Sequence, residues 1–129
     1  MLPDVDEENR FFWTAGATGE LRFLRCRACG YYVHPPGPRC PKCHSPELHP
    51  EAVSGRGEVH SFTINHQPWD GTAEPYAIVI VALPEQGDLR MTSNLIGCPV
   101  EDVRIGMAVQ VVFEQHDDVW LPLFEPADP

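Results

Sequence analysis

The sequence predicts a mainly β protein with a short helix at its start, a metal-binding ribbon and a small barrel. Three observations predict this fold class. Two pairs of cysteines lie close together in the first third of the 129-residue chain. From residue 50 onward, short runs of alternating apolar and polar residues are typical of strands. A brief amphipathic segment with acidic residues at its beginning precedes both regions.

The segment 4–16 is predicted to form the amphipathic helix. Asp4 or Asp6 can cap its start, since a carboxylate accepts hydrogen bonds from the free N–H groups of the first turn. Its second half contains three consecutive large apolar residues: Phe11, Phe12 and Trp13. These are too many for a free terminal helix. Either they dock on the body of this chain, or they belong to a surface that contacts another subunit.

The strongest motif is a pair of Cys-x-x-Cys hooks, Cys26/Cys29 and Cys40/Cys43, separated by ten residues. Two thiolates from each hook make the tetrahedral shell that Zn²⁺ prefers. Gly30 follows the first hook, where a tight turn often needs a positive φ. A disulfide pair and a redox dithiol are the alternatives, but a dithiol enzyme needs one hook within a βαβ pattern. Because four Cys fill the shell, the predicted zinc is structural.

Composition and charge limit the classes of function. Hydrophobic residues make up 43% of the chain, which is enough for a core, and no apolar run approaches the ~20 residues of a membrane span. The acidic start is not a signal-peptide pattern. A net charge of −10 argues against a nucleic-acid partner. Cys98 is left unpaired, which suits a reducing compartment, so we expect a cytoplasmic protein.

The charge is distributed unevenly along the chain. Between residues 20 and 56 there are six Lys and Arg residues and three Glu residues, so this region is +3 and the remainder is −13. One explanation is that Zn²⁺ bound by four thiolates is an anion, which nearby cations offset. The alternative is a binding site for an anion such as the phosphates of a coenzyme.

Five strands are predicted after the ribbon. Their apolar residues fall within 60–64, 76–83, 89–95, 109–113 and 119–124. Pro122 makes the last of them an edge strand, because proline cannot donate to a ladder. Five strands with a short third connection are typical of a Greek-key barrel of the OB type, and a β-sandwich is the alternative. The predicted domains are the N-terminal helix at 1–18, the zinc ribbon at 19–49, the barrel at 50–125 and a loose tail at 126–129.

The connection at 66–75 is long for a link between neighbouring strands, and it carries Trp69. Loops of this kind more often bind than merely connect. Trp69 could stack on a ring or simply hold the loop in place. The sequence contains no nucleophile–base–orienter set, phosphate-binding loop or paired-histidine metal motif, so no catalytic residue is predicted.

Several motifs occur in an order that resembles one family. They are Gly19-x-Leu21, Cys26-x-x-Cys29-Gly30, Pro35-Pro36, Cys40-Pro41-x-Cys43, Ser54-Gly55-Arg56-Gly57 and Pro122-x-Phe124. Together they resemble the rubredoxin-like zinc-ribbon plus OB-fold proteins, catalogued as domain of unknown function thirty-five. The resemblance covers residues 5–125.

The resemblance implies an acyl-CoA-associated protein that lacks a catalytic set of its own. Members of this family partner thiolases, thiolase-like lipid-transfer proteins, hydroxymethylglutaryl-CoA synthase or MaoC-type hydratases. The chain is similar to a subgroup from steroid side-chain degradation. In that subgroup a thiolase-like partner performs retro-aldol cleavage of a steroid acyl-CoA. The resemblance carries over a structural Zn²⁺ bound by Cys26, Cys29, Cys40 and Cys43.

The leading hypothesis is therefore an accessory subunit that binds a thiolase-superfamily partner in a heteromeric complex and helps to hold coenzyme A. The candidates for contact with coenzyme A phosphates are Arg22, Arg25 and Arg56. The candidates for contact with the partner are Phe11, Phe12, Trp13 and Trp69. Two alternatives stay open: a self-sufficient acyl-CoA enzyme, such as a hydratase or a transferase, and a binder of single-stranded nucleic acid.

Overall fold

The structure, a computed structural model, describes residues 5–7, 9–66 and 75–127. Its elements are α1 (Arg10–Thr14), a 3-10 turn (Ala15–Thr18), β1 (Leu21–Cys26), β2 (Tyr32–Val33), β3 (Leu48–Val53), β4 (Arg56–Asn65), β5 (Tyr76–Ala82), β6 (Arg90–Leu95), a second 3-10 turn (Val100–Asp102), β7 (Ala108–His116) and β8 (Val119–Pro126). The first three strands form a sheet in the order β2-β1-β3, and the other five close into the barrel β4-β5-β6-β8-β7. The predicted mainly β class is confirmed. None of the helices in the described ranges is long and apolar enough to span a membrane.

The N-terminal helix begins with a capped turn. The N–H of Asp6 donates to Asn9 Oδ1 at 2.8 Å, and the N–H of Asn9 donates to Asp6 Oδ1 at 2.9 Å. This reciprocal pair satisfies two N–H groups that would otherwise lack partners. The regular α-helix α1 is only five residues long, and the 3-10 turn after it ends at Gly19 with a φ of 76°. The helix predicted over 4–16 is therefore observed as the capped turn, α1 and the 3-10 turn, so its regular α-helical part is shorter than predicted.

The aromatic end of α1 docks on the body of the chain. Phe12 is 6% exposed, and the centroid of its ring lies 6.0 Å from that of Phe23 in β1. A Cβ atom at Gly16 would lie 2.6 Å from both Phe113 Cδ1 and Trp120 Cβ. Glycine therefore allows the 3-10 turn to contact β7 and β8 closely. Of the two predicted alternatives, docking on the chain's own core applies to Phe12.

The ribbon sheet contains a strand that the sequence did not reveal. β3 pairs antiparallel with β1 along its whole length. Half of its residues are exposed, none is buried, and it contains Pro50, so it lacks the apolar alternation that indicates a strand. The boundary predicted between residues 49 and 50 falls inside β3. The division into domains stays a prediction.

The barrel core is formed by inward-facing residues of the five barrel strands. The most deeply buried are Val59, Val79, Val81, Val109 and Phe124. β5 lies between β4 and β6, and its even-numbered residues Ile78 and Ile80 are only half-buried on the outer face. The unbroken apolar run at 76–83 would suit a strand covered on both faces, but the outer face of β5 is only partly covered. Closure of the sheet removes the β-sandwich alternative.

The barrel closes through an uneven seam between β6 and β8. Their parallel ladder consists of the pair Leu95↔Phe124, and the N–H of Ile96 donates to Phe124 O at 2.8 Å. Two residues earlier on β8, the backbone of Pro122 also faces β6, where the Ser93 hydroxyl donates to Pro122 O at 2.7 Å. The prediction that β8 is an edge strand was wrong, because β8 lies between β6 and β7 in the closed barrel. Pro122 lies outside the ladder between β6 and β8, so its lack of an N–H removes no hydrogen bond from that ladder.

The connection between β5 and β6 joins the barrel to the ribbon. The N–H of Tyr32 donates to Gln86 Oε1 at 2.8 Å, and Gln86 Nε2 donates to Tyr32 O at 3.1 Å. Next to this pair, the Tyr31 hydroxyl donates to Asp88 Oδ2 at 2.7 Å. Tyr32 belongs to β2, the edge strand of the ribbon sheet. The Gln86 amide therefore supplies the donor and the acceptor that a further strand would otherwise provide.

Two predictions fall at the limits of the described residues. Of the tail expected to be loose at 126–129, Pro126 ends β8 and the N–H of Ala127 donates to Ala108 O at 2.9 Å, so these two residues are held in place. Residues 128 and 129 lie outside the described ranges. So do residues 67–74 of the long connection, with Trp69 among them.

Candidate metal centre and neighbouring surfaces

The first hook is a tight turn at the end of β1. Cys26 is the last residue of β1, and its N–H donates to Tyr31 O at 2.9 Å. The N–H of Gly30 donates to Cys26 O at 2.8 Å, and Gly30 has a φ of 82°. A glycine tolerates this left-handed conformation without steric cost, which explains its place directly after Cys29.

The second hook repeats this geometry. The N–H of Cys40 donates to Ser45 O at 3.0 Å, and the N–H of His44 donates to Cys40 O at 2.9 Å. His44 occupies the position equivalent to Gly30 and has a φ of 66°. The two hooks are therefore matching turns that present their thiols to a common point.

The four thiols converge as a metal site requires. Cys26 Sγ lies 3.5 Å from Cys43 Sγ, and Cys29 Sγ lies 3.6 Å from Cys40 Sγ. All four sulfur atoms lie within 4.8 Å of one another. Four sulfurs at a Zn–S distance of about 2.3 Å would be separated by about 3.8 Å in a tetrahedron. The donor set therefore fits one tetrahedral ion, with Cys26 and Cys40 buried and the other two thiols exposed.

Backbone groups prepare the site for thiolates. The N–H of Cys29, at 3.5 Å from Cys26 Sγ, is the main influence that lowers the pKa of the Cys26 thiol to about 6. At Cys43 the N–H of Ser45 favours the thiolate, but the surrounding thiols, Cys26 first, outweigh it and raise the pKa to about 12. Four thiols this close share protons unless a cation compensates their charge. A divalent metal would therefore hold all four as thiolates.

The three candidate arginines for coenzyme A do not form one cluster. Arg22 and Arg25 are three positions apart on β1, so their side chains leave opposite faces of the sheet. Arg22 Nε donates to Glu20 Oε2 at 2.7 Å, and Arg25 Nη1 donates to Glu51 Oε2 at 2.9 Å. Arg56 begins β4 and lines a separate cavity of about 480 Å³. Their role in phosphate binding stays a prediction.

The missed register of β3 concealed another group of basic side chains. Arg25 pairs with His49 across the β1–β3 ladder, and both line a pocket of about 320 Å³ together with Arg27. Cys26 also lines this pocket, so it lies directly beside the metal site. Arg27 was in the sequence-level count of positive charge, but only the register of β3 places it beside His49.

The candidate residues for partner contact differ in accessibility. Phe12 is buried in the chain's own core, whereas Phe11 and Trp13 are half-buried and pack against that core. The ring of Phe12 also stacks on His34, with centroids 5.3 Å apart, and His34 contacts Phe23 at 4.7 Å. The contacts of Phe11 and Trp13 with a partner stay predictions. His34 was not singled out from the sequence, since an isolated His between the hooks carries no recognisable pattern.

Comparison with known proteins matches the ribbon and the barrel to two domain families. Residues 13–49 match the family described as "ChsH2, rubredoxin-like zinc ribbon domain", and residues 50–114 match "ChsH2, C-terminal OB-fold domain". A solved structure described as "Ltp2-ChsH2(DUF35) aldolase" contains a chain that is 32% identical, with a TM-score of 0.87. The similarity covers 98% of this chain and 100% of that one.

Three curated relatives extend the comparison. The 3-oxo-4,17-pregnadiene-20-carboxyl-CoA hydratase alpha subunit of Mycobacterium tuberculosis is 35% identical over 98% of this chain, which spans only 40% of that relative. A DUF35 domain-containing scaffold protein of Methanocaldococcus jannaschii is 37% identical over 71% of this chain and 66% of the relative. The benzoylsuccinyl-CoA thiolase subunit BbsA of Thauera aromatica is 30% identical over 91% of this chain and 84% of the relative. With its four-cysteine ribbon and closed five-stranded barrel, the chain belongs to the ChsH2-type zinc-ribbon and OB-fold family, the DUF35 proteins.

Proposed function

We propose that this chain is a non-catalytic accessory subunit, or domain, that binds and supports a thiolase-superfamily enzyme acting on an acyl-CoA. The observation that carries the proposal is its likeness, over its whole length, to a chain of the Ltp2-ChsH2(DUF35) aldolase. The names of two relatives, a scaffold protein and a thiolase subunit, support the same role. Catalysis is then performed by the partner.

The metal in this proposal is zinc, and its role is structural. Cys26, Cys29, Cys40 and Cys43 would hold it, and all four positions of a tetrahedral shell would be filled by protein. A closed shell leaves no site for a substrate or an activated water. What the ion supplies is stability, because it joins two turns that have few apolar contacts of their own.

The finer form of the proposal concerns the reaction. A relative named for a pregnadiene carboxyl-CoA and the similarity to an aldolase both support a steroid side-chain acyl-CoA as the partner's substrate and retro-aldol cleavage as its reaction. A MaoC-type hydratase is a further candidate partner, since the same relative is a hydratase subunit. The free thiol of Cys98 favours the cytoplasm as the compartment.

Direct contact with coenzyme A is part of the same proposal. Of the three candidate arginines, Arg22 and Arg25 are engaged by Glu20 and Glu51. A phosphate would have to displace those exposed carboxylates. Because exposed ion pairs contribute little, such an exchange is energetically accessible. Arg56 lies at the rim of its own cavity, where it could meet a phosphate independently.

Co-expression with the thiolase-like protein from the same host tests the proposal. We expect a stable heteromer by native mass spectrometry, acyl-CoA turnover by the complex and none by this chain alone. The competing function is a self-sufficient acyl-CoA enzyme, which the hydratase name of one relative favours. Turnover by the isolated chain, abolished by changing one of its own His or acidic residues, would establish that function instead.

A further inference from the structure

A groove lies where α1, the ribbon and the barrel seam meet. It encloses about 380 Å³. Trp13 of α1 and the Pro35–Pro36 loop form one wall, and Leu121 and Leu123 of β8 form the other. Thr92 of β6 is exposed along its floor. The groove therefore follows the part of the seam where β6 and β8 have separated.

The backbone of β6 is open along this groove. Because Ile96 donates its N–H to Phe124 in β8, the backbone groups of every second residue before it, Asn94 and Thr92, also face β8. The described ladder between these strands is limited to Leu95↔Phe124, so it does not reach Thr92. The N–H and C=O of Thr92 are therefore directed into the groove, as at the edge of an incomplete sheet.

The described lining of the groove carries no charged side chain. Arg90, two residues before Thr92 on β6, and Glu114, which pairs with Leu121 across the β7–β8 ladder, lie beside it. Within the described part of the chain, no Asp, Glu, Lys or Arg lines the groove. Its one titratable group is His34, whose pKa burial lowers to about 4, so the ring is neutral near pH 7. On the outer face of the barrel the groove continues into two uncharged rows, Ser61–Ile80–Thr92 and Thr63–Ile78–Asn94.

We propose that an extended, uncharged and apolar segment of the partner protein lies in this groove and pairs with β6 through the backbone of Thr92. The backbone N–H and C=O of Thr92 favour a peptide over a small ligand, because an added strand forms main-chain hydrogen bonds with such groups. The absence of cations from the lining disfavours a phosphate or an acidic peptide. The neighbouring rows with Ile78 and Ile80 extend the contact for apolar side chains. The inference deepens the proposed function and rests on it.

Substitutions at Thr92 test this interface in the complex with the thiolase-superfamily protein that co-purifies with the chain. Thr92→Arg places a charge in the uncharged groove without disturbing the core, and we expect it to weaken the complex by about tenfold or more. Thr92→Val keeps the site uncharged and should preserve the affinity. Gln115→Arg places the same charge on exposed β7 and should also preserve it. Hydrogen exchange of the segment 89–96 should slow when the partner binds wild type.

The outcomes distinguish a failure of this inference from a failure of the proposed function. A stable complex that Thr92→Arg does not weaken, with unchanged exchange in 89–96, would overturn the inference and leave the accessory role intact. Weakened binding of an acyl-CoA with an unaffected protein complex would instead make the groove a ligand site, which also overturns it. If wild type forms no complex with any thiolase-superfamily protein, both proposals fail together.

Discussion

Gly16 shows how one missing side chain sets the position of the N-terminal segment. Its Cβ would lie 2.6 Å from Phe113 Cδ1 and Trp120 Cβ, which is closer than packed carbons approach. We expect Gly16→Ala to lower the free energy of unfolding by about 1–3 kcal/mol, because a buried overpacked site must shift its backbone. Urea unfolding followed by tryptophan fluorescence measures the change. Gly37→Ala is the control, since nothing lies within 4 Å of its Cβ position, and an equal loss there would contradict this reason.

His34 makes stability depend on pH. Burial between Phe12 and Phe23 lowers its pKa from 6.5 to about 4, so the unfolded chain binds a proton more readily than the folded one. The full contribution is present above pH 6.5 and is lost as the pH falls from 6.5 towards 4. Between pH 7 and pH 5.5 we expect wild type to lose about 1 kcal/mol through this group.

The variant His34→Phe isolates that effect. Its ring can keep the aromatic contacts but cannot take up a proton, so its unfolding free energy should fall by about 1 kcal/mol less than that of wild type over the same pH range. The metal site releases protons too, but it is common to both proteins and cancels in the comparison. Parallel pH profiles for the two proteins would show that His34 does not contribute.

Among the elements, the β5–β6 connection couples the ribbon to the barrel through Gln86. Gln86→Ala removes both bonds to the Tyr32 backbone and leaves a buried donor and acceptor unpaired. We expect a loss of about 1–3 kcal/mol and faster hydrogen exchange in residues 31–33. Gln115→Ala is a matched control, because its amide donates to Asp117 O in an exposed turn. Unchanged exchange in residues 31–33 would contradict a coupling role for Gln86.

An element could be predicted where its own residues form a recognisable sequence pattern. The barrel strands show apolar alternation, and the two hooks show their spacing, so both could be found by inspection. β3 could not, because Pro50 and several exposed residues give it no periodicity and its pairing with β1 is fixed by tertiary contact. Without that register, the pocket shared by Arg25, Arg27 and His49 stayed hidden.

At the scale of the whole molecule, the metal site should decide whether the ribbon folds. Cys29→Ala removes one of four thiolates, and structural zinc contributes about 10–16 kcal/mol in small modules. We expect the variant to lose its bound metal by elemental analysis and to lose the cooperative unfolding of the ribbon. Cys98 lies outside the four-sulfur cluster, so the variant Cys98→Ala should keep one metal ion per chain. Retention of the metal in Cys29→Ala would contradict the assignment.

The groove could not be predicted from the sequence, because only the tertiary fold brings its lining residues together. The groove draws its walls from four separate parts of the chain, within 9–13, 34–36, 91–94 and 121–123. Pro35, Pro36 and Pro122 belong to family motifs, but no pattern in these segments predicts a groove, because its opening depends on how far β6 and β8 separate. The metal ligands were predictable because two local turns contain all of them.

The burial of Phe12 has a practical consequence for anyone cutting this domain out of a larger polypeptide. The ribbon match starts at residue 13, one position after a side chain that is 6% exposed and contacts both Phe23 and His34. A fragment trimmed to that boundary would leave a cavity the size of a phenyl ring beside Phe23 and His34. Truncations that begin at or before Asp6 keep both the ring and the turn that carries it.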